Sequence, residues 1–101
     1  MTPARLTSRA DVATATPERY AKQLVSHLGH KLTFITEGAV STAAIGAGTG
    51  QVVVGAGVLT LLATGADEQA LAEVERVLGS HLERFAQREN LSVSWTRNAA
   101  G

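Results

Sequence analysis

The chain has 101 residues and room for one domain, because a second core needs roughly another 50–100 residues. Nine basic and nine acidic residues leave a formal net charge of zero, so the basic stripe from which nucleic-acid binders draw their affinity is excluded. Cysteine is absent, which also excludes disulfides, a thiolate nucleophile and thiolate metal ligands.

The opening residues Met1-Thr2-Pro3-Ala4-Arg5 hold no apolar stretch of the kind a secretory signal needs. Later apolar runs are short, interrupted by glycine and well under the ~20 residues that span a bilayer. The expectation is a cytoplasmic protein with no membrane segment: one domain over 1–101, with a core of about 4–97 between short flexible termini.

Ala4 to Val12 alternates, with Leu6, Ala10 and Val12 on one side and Arg5, Thr7, Arg9 and Asp11 on the other, which predicts a half-buried strand. Thr16-Pro17 supplies a hydroxyl N-cap and a proline at the first helical position. Tyr20, Leu24 and Leu28 then recur every four residues, so a helix runs from Pro17 to Gly29 or His30. Four strands follow: Leu32 to Thr36, Ala39 to Ile45, Gln51 to Val54 and Val58 to Ala63. Gly46-Ala47-Gly48-Thr49-Gly50 and Gly55-Ala56-Gly57 read as hairpin turns.

Asp67 opens the longest helix, expected to reach Glu89, with Leu71, Val74, Val77, Leu78, Leu82 and Phe85 as its apolar stripe. Gly79 inside it costs about 1 kcal/mol relative to alanine and implies close packing. Asn90 suits a left-handed helix end. Leu91 to Arg97 alternates again, predicting a final strand with Leu91, Val93 and Trp95 inward. The order β-α-β-β-β-β-α-β predicts an α+β two-layer sandwich, an antiparallel sheet with two helices on one face. Ser26-His27-Leu28 and Ser80-His81-Leu82 echo one another on the two helices, a weak trace of two related halves.

Two longer motifs carry a family resemblance. Pro17-Glu18-Arg19-Tyr20-Ala21-Lys22-Gln23-Leu24, with Ser26-His27 and Gly29-His30-Lys31, resembles the opening motif of the domain of unknown function 2218 family. Ser80-His81-Leu82-Glu83-Arg84-Phe85-Ala86, with Arg88-Glu89, Leu91 and Trp95-Thr96, resembles its closing motif. The resemblance implies a small bacterial protein without an assigned activity. Related domains accompany siderophore-interacting flavoprotein reductases, so it also implies a link to iron and a flavin-dependent siderophore reductase as partner. The departure lies in the middle: members of the family usually carry charges on the central strands, whereas Gly38 through Ala66 holds none.

The three histidines are the first candidate site. On a helical projection His27 lies about 60° from Leu24, and His30 about 60° further toward the polar side. His81 falls within the apolar stripe of the long helix. His27 and His30 can face one atom, and His81 joins them if the helices lie side by side. Three neutral imidazoles suit zinc or iron. The competing reading is half-buried histidines bonded to backbone carbonyls or to the neighbouring Ser26 and Ser80. The family motif retains all three positions.

The uncharged stretch is the second candidate. Val52, Val54, Leu59 and Leu61 place apolar side chains where a two-layer fold leaves one sheet face bare, which predicts a homodimer face or an apolar ligand pocket. Three other signals are set aside. Gly46-x-Gly48-x-Gly50 precedes no helix and no lysine, as a phosphate loop requires. The Ser-His neighbours point about 100° apart on their helices and form no relay. Glu73, Glu75 and Glu83 sit on the outward arc, and Glu83, Arg84, Arg88 and Glu89 read as a solvated face with i,i+4 pairs.

The expected function is a non-catalytic accessory or binding module, homodimeric and tied to iron or siderophore metabolism by its resemblance. The alternative is a small enzyme or ligand-binding protein with an apolar pocket and His81 as its acid–base group.

Overall fold

The computed structural model describes residues 5–99. Ala4, the expected start of the first strand, and both expected flexible ends beyond these limits lie outside the described residues. The elements run β1 (Leu6–Ala13), α1 (Pro17–Leu28), β2 (Ile35–Glu37), β3 (Val40–Ile45), β4 (Gly48–Gly55), β5 (Val58–Gly65), α2 (Glu68–Phe85), a 3₁₀ turn (Gln87–Glu89) and β6 (Thr96–Ala99). The fold is α+β, in the expected order, with one open antiparallel sheet ordered β2-β3-β4-β5-β1-β6.

Alternation sets the layers. Ala10 and Val12 of β1, Ala43 and Ile45 of β3, Val52 of β4, and Leu59, Leu61 and Ala63 of β5 are all buried on the helix side. They meet Tyr20, Ala21, Leu24 and Leu28 of α1, and Leu71, Val74, Leu78 and Leu82 of α2. The register Val52↔Leu61 and Val54↔Leu59 holds these positions on one face. The other face carries Arg9, Leu62, Gln51, Thr42 and Ile35 in one cross-strand row, and Asp11, Thr60, Val53 and Val40 in the next.

Several boundaries differ from the sequence reading. The glycine string is not a turn throughout. Gly46, at φ 57°, begins a two-residue loop, as a type II′ hairpin requires, while Gly48 and Gly50 already belong to β4. A Cβ on Gly48 would stand 2.6 Å from Val74 Cγ2, and one on Gly50 would stand 2.7 Å from Ile45 Cδ1. These glycines let α2 settle against the sheet.

Thr16 makes no side-chain cap; its own N–H donates to the Thr14 hydroxyl at 3.2 Å. Asp67 does cap α2, its carboxylate accepting from Ala70 N–H at 2.8 Å. Asn90 takes the left-handed conformation, at φ 53°.

Two alternating segments do not pair over their length, and Leu32 N–H still donates to the Leu28 carbonyl at the end of α1, at 2.8 Å. The expected strand from Leu32 shrinks to Ile35–Glu37, and the expected strand from Leu91 pairs only from Thr96. Leu91, Val93 and Trp95 do point inward, but against the core beside α2 and not from within the sheet. A Cβ on Gly79 would lie 3.0 Å from Trp95 Nε1, so the missing side chain makes room for the indole. The Glu83 carboxylate accepts from Val93 N–H at 2.9 Å and occupies a backbone donor that a strand would use. Among the described residues no helix is long and apolar enough to cross a membrane.

Candidate functional site

α1 and α2 lie side by side on the sheet, and this neighbourhood brings the histidines together. A cleft of about 530 Å³ is lined by His27 and Leu28 of α1, His30, Lys31 and Leu32 after it, Ile45 and Gly46 at the β3 hairpin, and Glu73, Val77 and His81 of α2. Its floor is apolar, from Leu28, Ile45 and Val77, and its rim is nitrogen-rich. Glu73 joins because it precedes Val77 and His81 by successive four-residue steps on one helical face. That i, i+4, i+8 spacing is visible in the sequence and was the signal for a fourth polar group.

His81 is half-buried, while His27 and His30 are exposed. The His81 Nδ1 lies 2.6 Å from the Val77 carbonyl oxygen. The rings of His27 and His81 are 5.3 Å apart between centroids and tilted by 45°. Phe85 meets His27 edge-to-face, at 5.2 Å and 79°. Both anticipated roles of His81, backbone bonding and a place beside His27, are therefore present in the geometry. His30 shares the cleft without joining the ring pair. Among the described residues, no group of three or more histidine, aspartate or glutamate side chains is gathered to hold a metal ion.

Ser80 and His81 are occupied separately. The Ser80 hydroxyl donates to the Arg76 carbonyl, one turn back, and not to an imidazole. Glu73 pairs with Arg76 at 2.7 Å, which raises the Arg76 pKa from its ordinary value.

The four residues expected to form a dimer face or pocket require correction. Val52, Leu59 and Leu61 are 0–1% exposed and belong to the core beneath the helices. Val54 is half-buried, packs on the same core, and reaches a separate cleft of about 490 Å³ between α1 and the β2–β3 hairpin. The physical reason is parity. Side chains alternate across a strand, so an apolar run identifies both faces equally and only the register decides which is covered. The residues turned away from the helices are Val53, Thr60 and Leu62, beside Gln51.

Of the acidic residues expected on the outward arc, Glu83 is exposed and Glu73 partly so, whereas Glu75 departs from it. Glu75 is 11% exposed at its side chain and pairs with Arg97 of β6 at 2.8 Å, which holds its carboxyl below the usual carboxylate range. The Ser8 hydroxyl is buried on β1 beside this carboxylate and lowers its pKa further, though it has no partner in strict hydrogen-bonding geometry among the described residues. Glu89 accepts from the Tyr20 hydroxyl at 2.6 Å, which raises the tyrosine pKa and ties α1 to the 3₁₀ turn after α2. Glu83, Arg84, Arg88 and Glu89 are all exposed, as a solvated face requires, but Glu83 and Glu89 bond to Val93 and Tyr20 and not to i,i+4 partners. Asp11, on the open face, accepts from Arg9 Nε at 3.0 Å and from Thr60 Oγ1 at 2.6 Å, and both partners lower its pKa.

Comparison with known proteins gives a consistent result. The family described as "Uncharacterized protein conserved in bacteria (DUF2218)" matches residues 9–96. The chain is also similar to the NMR structure of PA4090 from Pseudomonas aeruginosa, with a TM-score of 0.68 and 26% sequence identity. The likeness covers 92% of this chain and 95% of that one. No curated protein matches.

Proposed function

The chain belongs to the DUF2218 family of uncharacterized bacterial proteins, and from that premise we propose that it is a non-catalytic accessory module whose ligand occupies the histidine cleft. The observation that carries this reading is the convergence of all three histidines of the chain on one cleft, from two helices and the loop after α1. An apolar floor with a few polar groups at its rim is the usual make-up of a ligand site. The separate hydrogen bonds of Ser80 and His81 favour binding over nucleophilic catalysis. The test is a titration of the isotope-labelled protein with a panel of small polar ligands and ions, read by amide chemical shifts. Shifts centred on His27, Val77 and His81 support the reading. Shifts confined to the surroundings of Val54 favour instead the second reading, an apolar ligand held between α1 and the β2–β3 hairpin.

The homodimer belongs to this proposal, now on the open sheet face. Six strands at about 4.8 Å spacing and roughly 20 Å of strand length give a face of some 500–600 Å² in plan, before side-chain relief, within reach of the ~800 Å² per partner of a stable interface. Light scattering should return twice the monomer mass, and Leu62→Asp should return the monomer; a monomeric wild type at high concentration removes the dimer. The link to iron, and to a flavin-dependent siderophore reductase, rests on the family resemblance. Co-purification of such a reductase with the tagged protein tests it.

A further inference from the structure

The reading of the cleft as a binding site leaves its ligand class open, and the geometry of two side chains narrows it. We propose that His27 and His81 together chelate a borderline divalent transition ion, with zinc or copper as the fitting class, through one nitrogen from each ring.

Three observations support the chelate. The first is protonation. A backbone carbonyl only accepts hydrogen bonds, so in the neutral ring the contact of His81 Nδ1 with Val77 O puts the proton on Nδ1 and the lone pair on Nε2. A ring nitrogen bonded to a carbonyl while the other faces outward is the arrangement that orients metal-binding histidines.

The second is spacing. A metal 2.0–2.1 Å from an imidazole nitrogen stands about 3.2 Å from the ring centroid, so two rings in tetrahedral array have centroids about 5.2 Å apart. The observed separation is 5.3 Å.

The third is support. His27 is held edge-on by Phe85, and the two rings come from different helices already packed together, so less side-chain freedom is lost on binding. Two imidazoles do not close a coordination shell. Water fills the remaining positions, with His30 and Glu73 on the same cleft rim and Glu73 engaged by Arg76. Lys31 is the one cation among the lining residues.

The inference rests on the binding-site reading, and its experiment separates the two. The full chain is titrated with zinc chloride and, separately, copper sulfate at neutral pH, by calorimetry and by histidine ring NMR. One ion per protomer is expected, with ring resonances of His27 and His81 moving together. His27→Ala and His81→Leu should each weaken binding by more than about tenfold, since even the loss of a group supporting a ligand costs that much. His27 is exposed, so its variant carries the test even if His81→Leu fails to fold. Unchanged affinity in His27→Ala, or no saturable binding in the wild type, overturns the chelate. If an organic ligand still shifts the same cleft residues, the chelate alone has failed and the binding-site reading stands.

Discussion

The two faces of the sheet share the same strands and are built to different rules. Under the helices, Val52, Leu59, Leu61 and Ala63 are almost fully excluded from solvent, in contact with Leu71, Val74 and Leu78. On the opposite face Val53, Leu62, Thr42 and Gln51 are half-buried, and Thr60 is screened by its neighbours and its bond to Asp11. The first face is apolar apart from the buried hydroxyls of Ser8 and Ser41. The second mixes β-branched and hydroxyl side chains, and the Arg9–Asp11 charges cancel across it. A long uncharged stretch thus serves two purposes at once, one on each side of the pleat.

The largest expected effect separates the faces directly. Leu61→Ala should lower unfolding free energy by about 2–5 kcal/mol, because the helices cannot collapse fully into the space left. Leu62→Ala should cost less than about 1.5 kcal/mol, since its surroundings stay partly hydrated. Urea unfolding of both variants below micromolar concentration checks this. Equal costs would mean that the open face is covered in solution, and a concentration-dependent midpoint would identify a second copy as the cover.

Smaller effects concern the polar ties at the rim. Glu75→Gln should cost about 1 kcal/mol, after allowance for the solvent around Arg97, which is 45% exposed at its side chain. The Glu75 pKa is lowered in the folded protein, chiefly by the Arg97 hydrogen bond. Its contribution is therefore complete above the ordinary glutamate value of 4.5 and is lost as pH falls below it. Thermal melts between pH 7 and pH 3 should show a shallower acid decline for Glu75→Gln than for the wild type; parallel curves would remove the pair from the stability of β6. Tyr20→Phe should cost about 0.5–1 kcal/mol, the net value of one hydrogen bond, with increased hydrogen exchange at the 3₁₀ turn. No change in exchange there would show that Glu89 does not anchor the turn.

Much of this was legible in one sequence because local rules set it. Tyr20, Leu24 and Leu28 announce one helix and the stripe from Leu71 to Leu82 the other, since both repeat with the helical period. Gly79 was recognisable as a close-packing position, and Trp95 is what packs there. The nearness of His81 to His27 was a conditional expectation that became definite once α1 and α2 were adjacent. Leu32 and Val93 illustrate the limit. For Val93 alternation correctly gave the inward side, and for Leu32 it gave a strand that does not form there, because pairing depends on whether a free strand edge lies alongside.

The sequence by itself determined the element order, the helix faces, the balanced net charge and the family to which the chain belongs. Those follow from periodicity, composition and motifs, which act over a few residues or over the whole chain at once. Tertiary structure alone decided that Val52 and Leu61 lie inward and Val53 and Leu62 outward, because a period of two does not say which side the helices cover. It also paired Glu75 with Arg97 across 22 residues and Tyr20 with Glu89 across 69. Such contacts leave no local trace, since each is made by two elements that meet only after the helices have packed on the sheet.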